Sequence, residues 1–313
     1  MQKNIVLKYK IISIILLFTA TVCWGLNFVF QQNASKYIGP FTFLFLRTLI
    51  GSVMVFFTII FKNLFQAKKA VFWQKTDSVK KTLKGGLITG LCITAVLFLQ
   101  QVGVSRTTVG KAGFLTSTSV IFVPFIGITL GRKVKLYQWI GIITSLIGIA
   151  LISLTDVSMI NIGDIITLIS AAFAAVHIIT AGYYSKTTDS LKLSFFRFLS
   201  AAAISFVVMV LFEGFNLKKI YMARNDILFA GILASGIAFT FFAISQKYLS
   251  DISVSLLLSL QSIFAAIFGA ALLGETLTFK ETAGCVILFV SVVMMQIYDE
   301  LKALITTKPK TAG

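Results

Sequence analysis

Ten apolar segments, each long enough to cross a membrane, constrain this chain more than any other feature of its sequence. A helix of about 20 apolar residues spans the roughly 30 Å of bilayer hydrocarbon. The segments are too long and continuous for barrel strands, which alternate over about 10 residues. The sequence therefore predicts an all-α integral membrane protein with ten transmembrane helices. The predicted spans are residues 11–31, 41–61, 85–104, 109–130, 136–154, 163–183, 194–212, 226–246, 252–273 and 279–298.

The composition argues against a soluble domain. Hydrophobic residues make up 57% of the chain and charged residues only 12%, whereas a soluble domain carries about 25% charged residues. The net charge of +17 would suggest nucleic-acid binding in a soluble chain, but cytoplasmic loops of membrane proteins accumulate Lys and Arg. Cys23, Cys92 and Cys285 lie in apolar segments without disulfide or metal spacing. We therefore expect no cofactor, no metal and no nucleic-acid partner.

The distribution of basic residues predicts the orientation. If the N-terminus is cytoplasmic, nineteen Lys and Arg residues fall on cytoplasmic segments and seven on the other side, as the positive-inside rule requires. We therefore expect a multi-pass protein of the bacterial cytoplasmic membrane (the cell membrane) with both termini cytoplasmic. The first segment has Val22 where signal-peptide cleavage would need a small residue, so we expect it to be retained as a helix.

One cytoplasmic loop carries a lipid-binding pattern. Residues 62–84 contain seven lysines together with Phe65, Phe72 and Trp73. Basic residues are attracted to anionic headgroups, while aromatic rings insert at the interface. The pattern predicts that this segment binds anionic lipid at the inner leaflet.

The second half of the chain repeats the first. At an offset of 150 residues, Arg47 in "FLFLRTLIG" matches Arg197 in "LSFFRFLSA", and at an offset of 143, Leu130-Gly131 matches Leu273-Gly274. Because each repeat holds five spans, the second must enter the membrane from the opposite side. Inverted repeats of this kind build many secondary transporters, with the substrate site near the midplane. The predicted organisation is a cytoplasmic N-terminus (1–10), two five-helix repeats (11–154 and 162–298) and a cytoplasmic tail (299–313).

Several motifs resemble one transporter family. "CWGLNFVFQ" with "PFTFLFLR", then "TTVGKAGFLTSTSVIFVPF", and finally "LLGETLTFKETAG" are similar to the EamA-type repeats of the drug/metabolite transporter superfamily, over about residues 11–298. The resemblance implies a ten-helix carrier of amino acids, vitamins or other small metabolites, and it favours export. The second half has "FAAVHII" in place of the Trp-Gly-x-Asn motif, so the two repeats are not chemically equivalent.

Polar side chains deep in the predicted helices are the candidates for a substrate site. Such groups are costly in lipid and are functional by default, although hydrogen bonding between helices is the alternative. Asn27 and His177 are partners at the offset of 150, and Trp24, Asn27 and Gln31 share one helix face. The predicted substrate-binding residues are Trp24, Asn27, Gln31, Gln100, Gln101, Thr116, Ser119, His177, Tyr184, Gln246, Ser259, Gln261 and Ser262.

These candidates differ in strength. The glutamines are strong because an amide cannot easily satisfy itself within its own helix. The hydroxyl pairs Thr116/Ser119 and Ser259/Ser262 have a plainer alternative, because membrane hydroxyls often bond to the preceding helical turn. His177 is the one histidine and the candidate for coupling to an ion, since the predicted spans have no carboxylate at mid-depth.

Arg47 and Arg197 each lie one to two turns from the start of a predicted span. An arginine at that depth can snorkel to the headgroups. The symmetric placement favours a gating or structural role for both. A bidentate grip on a substrate carboxylate is the third possibility.

These features predict a secondary transporter that moves a small polar or amphipathic metabolite by alternating access. An amino acid or related compound, exported, is the first candidate, and uptake of a vitamin or nucleoside-like solute is the alternative. A channel would need polar rings through the whole bilayer, and an integral-membrane enzyme would need a catalytic constellation; no catalytic residue is predicted. The expected partners are the small-molecule substrate and membrane lipids, and the chain is expected to be a monomer or a homodimer.

Overall fold

The fold is built from long apolar helices. The computed structural model describes residues 2–65, 78–153 and 161–306, and these contain fourteen α-helices, one π-helix and no β-strand. In the first repeat the helices are α1 (Gln2–Ala34), α2 (Pro40–Phe65), α3 (Val79–Val104), α4 (Val109–Ser117), α5 (Ser119–Thr129) and α6 (Leu136–Ser153). In the second they are α7 (Ile162–Thr187), α8 (Ser190–Phe212), α9 (Leu217–Met222), α10 (Arg224–Phe229), the π-helix (Ala230–Ala238), α11 (Phe239–Ser245), α12 (Asp251–Ser259), α13 (Gln261–Leu273) and α14 (Phe279–Thr306).

The predicted membrane fold is confirmed. Within the described ranges, nine helical stretches are long and apolar enough to cross a membrane, and Leu136–Ile152 is a shorter apolar helix. We number these ten stretches span 1 to span 10. Spans 4, 8 and 9 are composite: α4 with α5, α10 with the π-helix and α11, and α12 with α13. Helix α1 begins well before the predicted span, and α14 continues to Thr306, because polar residues extend a helix beyond its apolar part.

Spans 4 and 9 are each interrupted by one residue. Thr118 separates α4 from α5, and Leu260 separates α12 from α13. The two interruptions are 142 residues apart, close to the repeat offset. Thr118 and Leu260 both keep right-handed helical φ and ψ angles, so each span continues through its interruption as one membrane crossing.

The packing of the helices follows the inverted repeat. Helix α2 packs against its repeat partner α8, and α6 packs against its partner α14. In the same way α1 packs on span 8 and span 9, while its partner α7 packs on α3 and span 4. The two repeats therefore interlock around a pseudo-two-fold axis, and the protein interior is shared between them.

Ring contacts and hydrogen bonds identify the two membrane faces. Tyr9, near the start of α1, stacks on Tyr248, and Tyr137 packs against Tyr298 at the end of span 10. These contacts place the start of α1 and the end of span 10 on one face. We call this the terminal face. On the opposite face Phe41 stacks on Phe98 and Gln32 donates to Thr107 O at 3.1 Å. The predicted lipid-binding segment falls largely on residues 66–77, which lie outside the described residues together with the end of the tail.

Candidate functional site

A cavity lies at mid-depth between the two repeats. Its walls enclose an empty volume of about 580 Å³, which includes the space at its mouth. Spans 1 to 4 contribute to its wall from the first repeat, and spans 6, 8 and 9 from the second. The predicted site residues on this wall are Trp24, Asn27, Gln100, Thr116, Ser119, His177 and Gln261.

Helix α1 presents two of these side chains. The Trp24 indole donates from Nε1 to Ala234 O at 2.9 Å, which fixes α1 against the π-helix of span 8. Asn27, one turn further on, is 3% exposed, and its Oδ1 is buried without a hydrogen-bond partner among the described residues. A buried amide oxygen without a donor costs about 1–3 kcal/mol. Asn27 therefore lines the cavity and keeps an unused, buried acceptor among the described residues.

Arg47 also lines the cavity. Its side chain is 1% exposed, so the alternative of snorkelling to a headgroup does not fit. Nε donates to Ser235 Oγ at 3.1 Å, and the guanidinium lies over the Phe43 ring at 5.6 Å. Among the described residues no carboxylate pairs with Arg47. A buried cation thus faces the cavity without a protein counter-charge.

A chain of amides supports the wall on the first-repeat side. Gln31 Nε2 donates to Gln100 Oε1 at 3.1 Å, and Gln100 Nε2 donates to Thr116 Oγ1 at 3.3 Å. Gln101 Nε2 donates to Gln31 O at 3.0 Å. Gln31 and Gln101 do not line the cavity: Gln31 orients Gln100, which does, and Gln101 joins α3 to the backbone of α1.

His177 and Arg197 form a contact on the second-repeat side. His177 lines the cavity and stacks on Phe242 with ring centroids 5.6 Å apart. Arg197 is fully buried behind this wall, with Nη1 3.4 Å from His177 Nε2. It also donates from Nη2 to Ser194 Oγ and to Phe239 O. Arg197 is therefore tied into three spans and does not line the cavity.

The remaining predicted site residues lie away from the cavity wall. Tyr184 packs against Gly85 of α3, where its ring leaves no room for a larger side chain. Gln246 Nε2 donates to Ile178 O at 2.8 Å and joins span 8 to α7. Ser259 and Ser262 donate to the preceding turns, at Leu256 O and Ser259 O, which is the plainer alternative for membrane hydroxyls.

Span 8 forms a part of the cavity wall on which no predicted site residue lies. Its π-helix (AGILASGIA) accepts the Trp24 bond at Ala234 and the Arg47 bond at Ser235. Phe239 and Phe242, one turn beyond, form an aromatic side of the cavity. π-Helical turns occur frequently at functional sites. The small residues of this segment were the available signal, since they let α2 approach closely at Gly231 and Gly236.

Acidic residues are remote from this cavity. In the part of the chain that the structure describes, no carboxylate lines it, and no group of three or more His, Cys, Asp or Glu side chains could hold a metal ion. The buried acids Asp164 and Asp251 lie in the first turns of α7 and α12. The cavity therefore combines one cation with amide, hydroxyl and aromatic groups.

Comparison with known proteins identifies the family. The model of the EamA-like transporter family matches residues 11–154 and again residues 161–297. An uncharacterized transporter of Archaeoglobus fulgidus is 27% identical over 281 residues, covering 88% of this chain and 82% of that protein. The uncharacterized transporter YoaV of Bacillus subtilis is 25% identical over 286 residues, covering 88% and 94%.

The fold has a solved counterpart. A crystal structure of a protein that is 15% identical superposes with a TM-score of 0.68, covering 91% of this chain and 98% of its own, which supports the fold alone. The family and the names of the relatives indicate transport rather than catalysis. The chain therefore belongs to the EamA-like transporter family and is a multi-pass membrane protein of the transporter type.

Proposed function

We propose that this protein is a secondary transporter that exports an amino acid or a related small carboxylate by alternating access between its two repeats. The observation that carries the proposal is Arg47. A buried arginine is stable only with a partner for its charge, and this one lies on the cavity wall with a hydroxyl as its single hydrogen-bond partner among the described residues. A carboxylate is the ligand that a guanidinium binds best, through two parallel hydrogen bonds.

The Asn27 side chain supports the proposal that the substrate also carries an amino group. Its unpartnered Oδ1 is an acceptor on the wall that also holds Arg47, and an ammonium group has three donors and no acceptor. A cation and a free acceptor around one cavity suit a zwitterion. This pairing favours an amino acid over a nucleoside, which carries no anionic group.

The apolar part of the wall supports an amphipathic substrate. Trp24, Phe239 and Phe242 enclose one side of the cavity, and Trp24 lies 4.5 Å from Phe239 between ring centroids. Aromatic walls bind apolar groups and leave the polar ends of a ligand to a few placed side chains. We therefore propose an apolar or aromatic side chain for the transported amino acid.

In this proposal the terminal face is cytoplasmic. The excess of Lys and Arg on that side supports the orientation, and anionic lipid at the inner leaflet remains the proposed lipid partner. Export as the direction rests on the family resemblance. Arg197 has a bracing role in this account, because it holds His177 and the end of the π-helix in place.

Thermal stability and flux together test the function. Purified protein is screened with the standard amino acids, the matching decarboxylated amines, nucleosides and vitamins, since a ligand of the native state raises the apparent stability. We expect stabilisation by one or a few apolar amino acids and saturable flux of these in liposomes. Stabilisation by nucleosides or vitamins alone would contradict the proposed substrate class. Non-saturating flux would contradict a carrier and favour a channel.

A further inference from the structure

The cavity lies between two pairs of half-helices. Helix α4 packs on α13, and α5 packs on α12, because spans 4 and 9 run in opposite directions. The spans meet near their interruptions, where Ser117 Oγ donates to Ser259 O at 3.2 Å. The pair α5–α12 lies toward the terminal face, and the pair α4–α13 toward the opposite face.

Both interruptions border the cavity. In span 4, the cavity is lined by Thr116 and Ser119, which flank the interruption at Thr118. In span 9, it is lined by Leu258 and Gln261, which flank the interruption at Leu260. The α5–α12 pair therefore begins at the cavity and extends toward one face, and the α4–α13 pair begins there and extends toward the other.

An ion pair joins the half-helices on the terminal face. Gly131 ends span 4 with a positive φ of 77°, and the next residue, Arg132, contacts the Asp251 carboxylate through Nη1. Asp251 is the first residue of α12 and is buried, while the Arg132 side chain is 46% exposed. The Asp251 carboxylate also packs against Gly182 of α7, where a Cβ would collide with it.

A carboxylate joins the half-helices on the opposite face. Gly274 ends α13 with a positive φ of 72°, and Glu275 follows it. Glu275 Oε1 accepts from Val109 N, at the first residue of α4, at 3.3 Å. A carboxylate at this place satisfies a free N–H and complements the positive end of the helix dipole.

The two contacts are related by the repeat. Arg132 and Glu275 are 143 residues apart, at the offset that aligns Leu130-Gly131 with Leu273-Gly274. Each follows a left-handed glycine that ends one span, and each contacts the first residue of the half-helix from the other repeat. The two equivalent positions of the repeats thus carry opposite charges, with the cation Arg132 on the terminal face and the anion Glu275 on the opposite face.

We propose that these contacts are the two gate latches of the transporter: Arg132–Asp251 closes the cavity toward the terminal face, and Glu275 on the start of α4 closes it toward the opposite face. This inference rests on the proposed alternating-access transport. Both contacts are present in this structure. Each latch holds one half-helix pair, and its release opens the cavity on that side alone.

The strength of the latches suits such a role. One latch is a single ion pair with a half-exposed arginine, and the other is a single hydrogen bond from a backbone N–H to a carboxylate. Single contacts of these kinds contribute little, so a latch biases the conformational equilibrium without locking it. Removing one latch is therefore expected to shift access about two- to fivefold. Because the two latches act on opposite faces, their removal must have opposite effects.

Thiol labelling tests this without any substrate. Cys23, Cys92 and Cys285 are replaced by alanine, and Ala174, a small residue on the cavity wall, is changed to cysteine. A membrane-impermeant maleimide is applied to right-side-out and to inside-out vesicles. We expect Asp251→Asn to raise the labelling rate from the terminal face about two- to fivefold, and Glu275→Gln to raise it from the opposite face by a similar factor.

Matched variants separate latching from general loosening. Lys133→Ala removes an exposed cation beside Arg132, and Glu281→Gln removes an acid that accepts from Thr278 N and Thr278 Oγ1 just before its own helix. Neither should change labelling. Arg132→Gln removes the other partner of the same contact and should reproduce the effect of Asp251→Asn, and an unchanged thermal midpoint in both variants would show that they fold.

Three outcomes would overturn the latches: labelling that rises from the same face in both latch variants, labelling that stays unchanged in both, or control variants that behave as the latch variants do. A failure of amino acids to bind would overturn the proposed substrate and leave this result untouched.

Discussion

Arg47 and Arg197 hold equivalent places in the two repeats, yet their surroundings differ. Arg47 lines the cavity and has a single hydrogen bond, to Ser235, among the described residues. Arg197 is set behind the cavity wall, in contact with His177, Ser194 and Phe239. Arg47 has both Nη groups left for a ligand, whereas both Nη groups of Arg197 contact the protein and its buried Nε has no partner among the described residues.

The contrast teaches how an inverted repeat divides its tasks. Two identical halves would surround a symmetric site, which suits few metabolites. Here the first repeat supplies Asn27 and Arg47, and the second supplies His177 at the place of Asn27. The architecture stays symmetric so that both gates can work, while the chemistry of the site becomes one-sided.

The largest expected effect follows from removing the cavity cation. Arg47→Gln should reduce transport of the best amino acid by roughly 30-fold or more, because the loss of one partner of a buried charge pair costs about 2–5 kcal/mol. Arg47→Lys should keep part of the activity, since it retains the charge without the bidentate geometry. Initial flux in liposomes measures both. Flux near the parent value for Arg47→Gln would remove Arg47 from the site.

Asn27→Ala should have the next largest effect. A hydrogen bond to a charged group is worth about 1.5–3 kcal/mol, so binding of the amino acid should weaken roughly tenfold or more. The matching hydroxy acid lacks the ammonium group and should lose much less. Binding titrations of both ligands make this comparison, and equal losses would contradict an ammonium contact at Asn27.

Replacement of Arg197 should act on stability first. Arg197→Gln leaves His177 and the Phe239 carbonyl without their buried donor, at a cost of about 1–3 kcal/mol, whereas Arg47→Gln disturbs one hydroxyl contact. The thermal midpoint should therefore fall further for Arg197→Gln than for Arg47→Gln. His177→Ala should impair transport and also lower the midpoint. The reverse order of the two arginine variants would contradict the division of roles.

The smallest effects are expected at the span 9 hydroxyls. Ser259→Ala and Ser262→Ala each remove a bond to the preceding turn within span 9, and such bonds contribute little to a membrane helix. Transport and stability should stay within about 0.5 kcal/mol of the parent, the range of substitutions away from critical features. A tenfold loss in either variant would show that the hydroxyls contact the substrate after all.

Part of this picture could be predicted from the sequence because the bilayer imposes simple rules. The membrane-spanning helices follow from apolar length, and their division into two repeats follows from the offset matches such as Arg47 with Arg197. Trp24, Asn27 and His177 could be placed on the cavity because polar groups avoid lipid. Gln31 lies on the same face of α1 as Trp24 and Asn27, yet it bonds Gln100 and does not line the cavity. Helical periodicity shows which residues share a face, but it does not show where a cavity ends along that face.

Other features had no readable signal in the sequence. The π-helix of span 8 and the interruptions at Thr118 and Leu260 depend on packing between distant spans. The same limit applies to Phe239 and Phe242, because phenylalanines that face lipid and those that face a cavity look alike in a hydropathy pattern. The position of Arg47 along α2 suggested shallow depth, but its burial depends on the spans that surround it.

One measurement tests the central claim most directly: the preference for an amino acid over its decarboxylated amine, compared between the parent protein, Arg47→Gln and Arg197→Gln. The ratio of binding constants isolates the carboxylate contact from folding, since both ligands meet the same protein. The account predicts a strong preference in the parent and in folded Arg197→Gln, and its loss in Arg47→Gln. A preference that survives in Arg47→Gln would contradict the assignment of Arg47 as the carboxylate-binding cation.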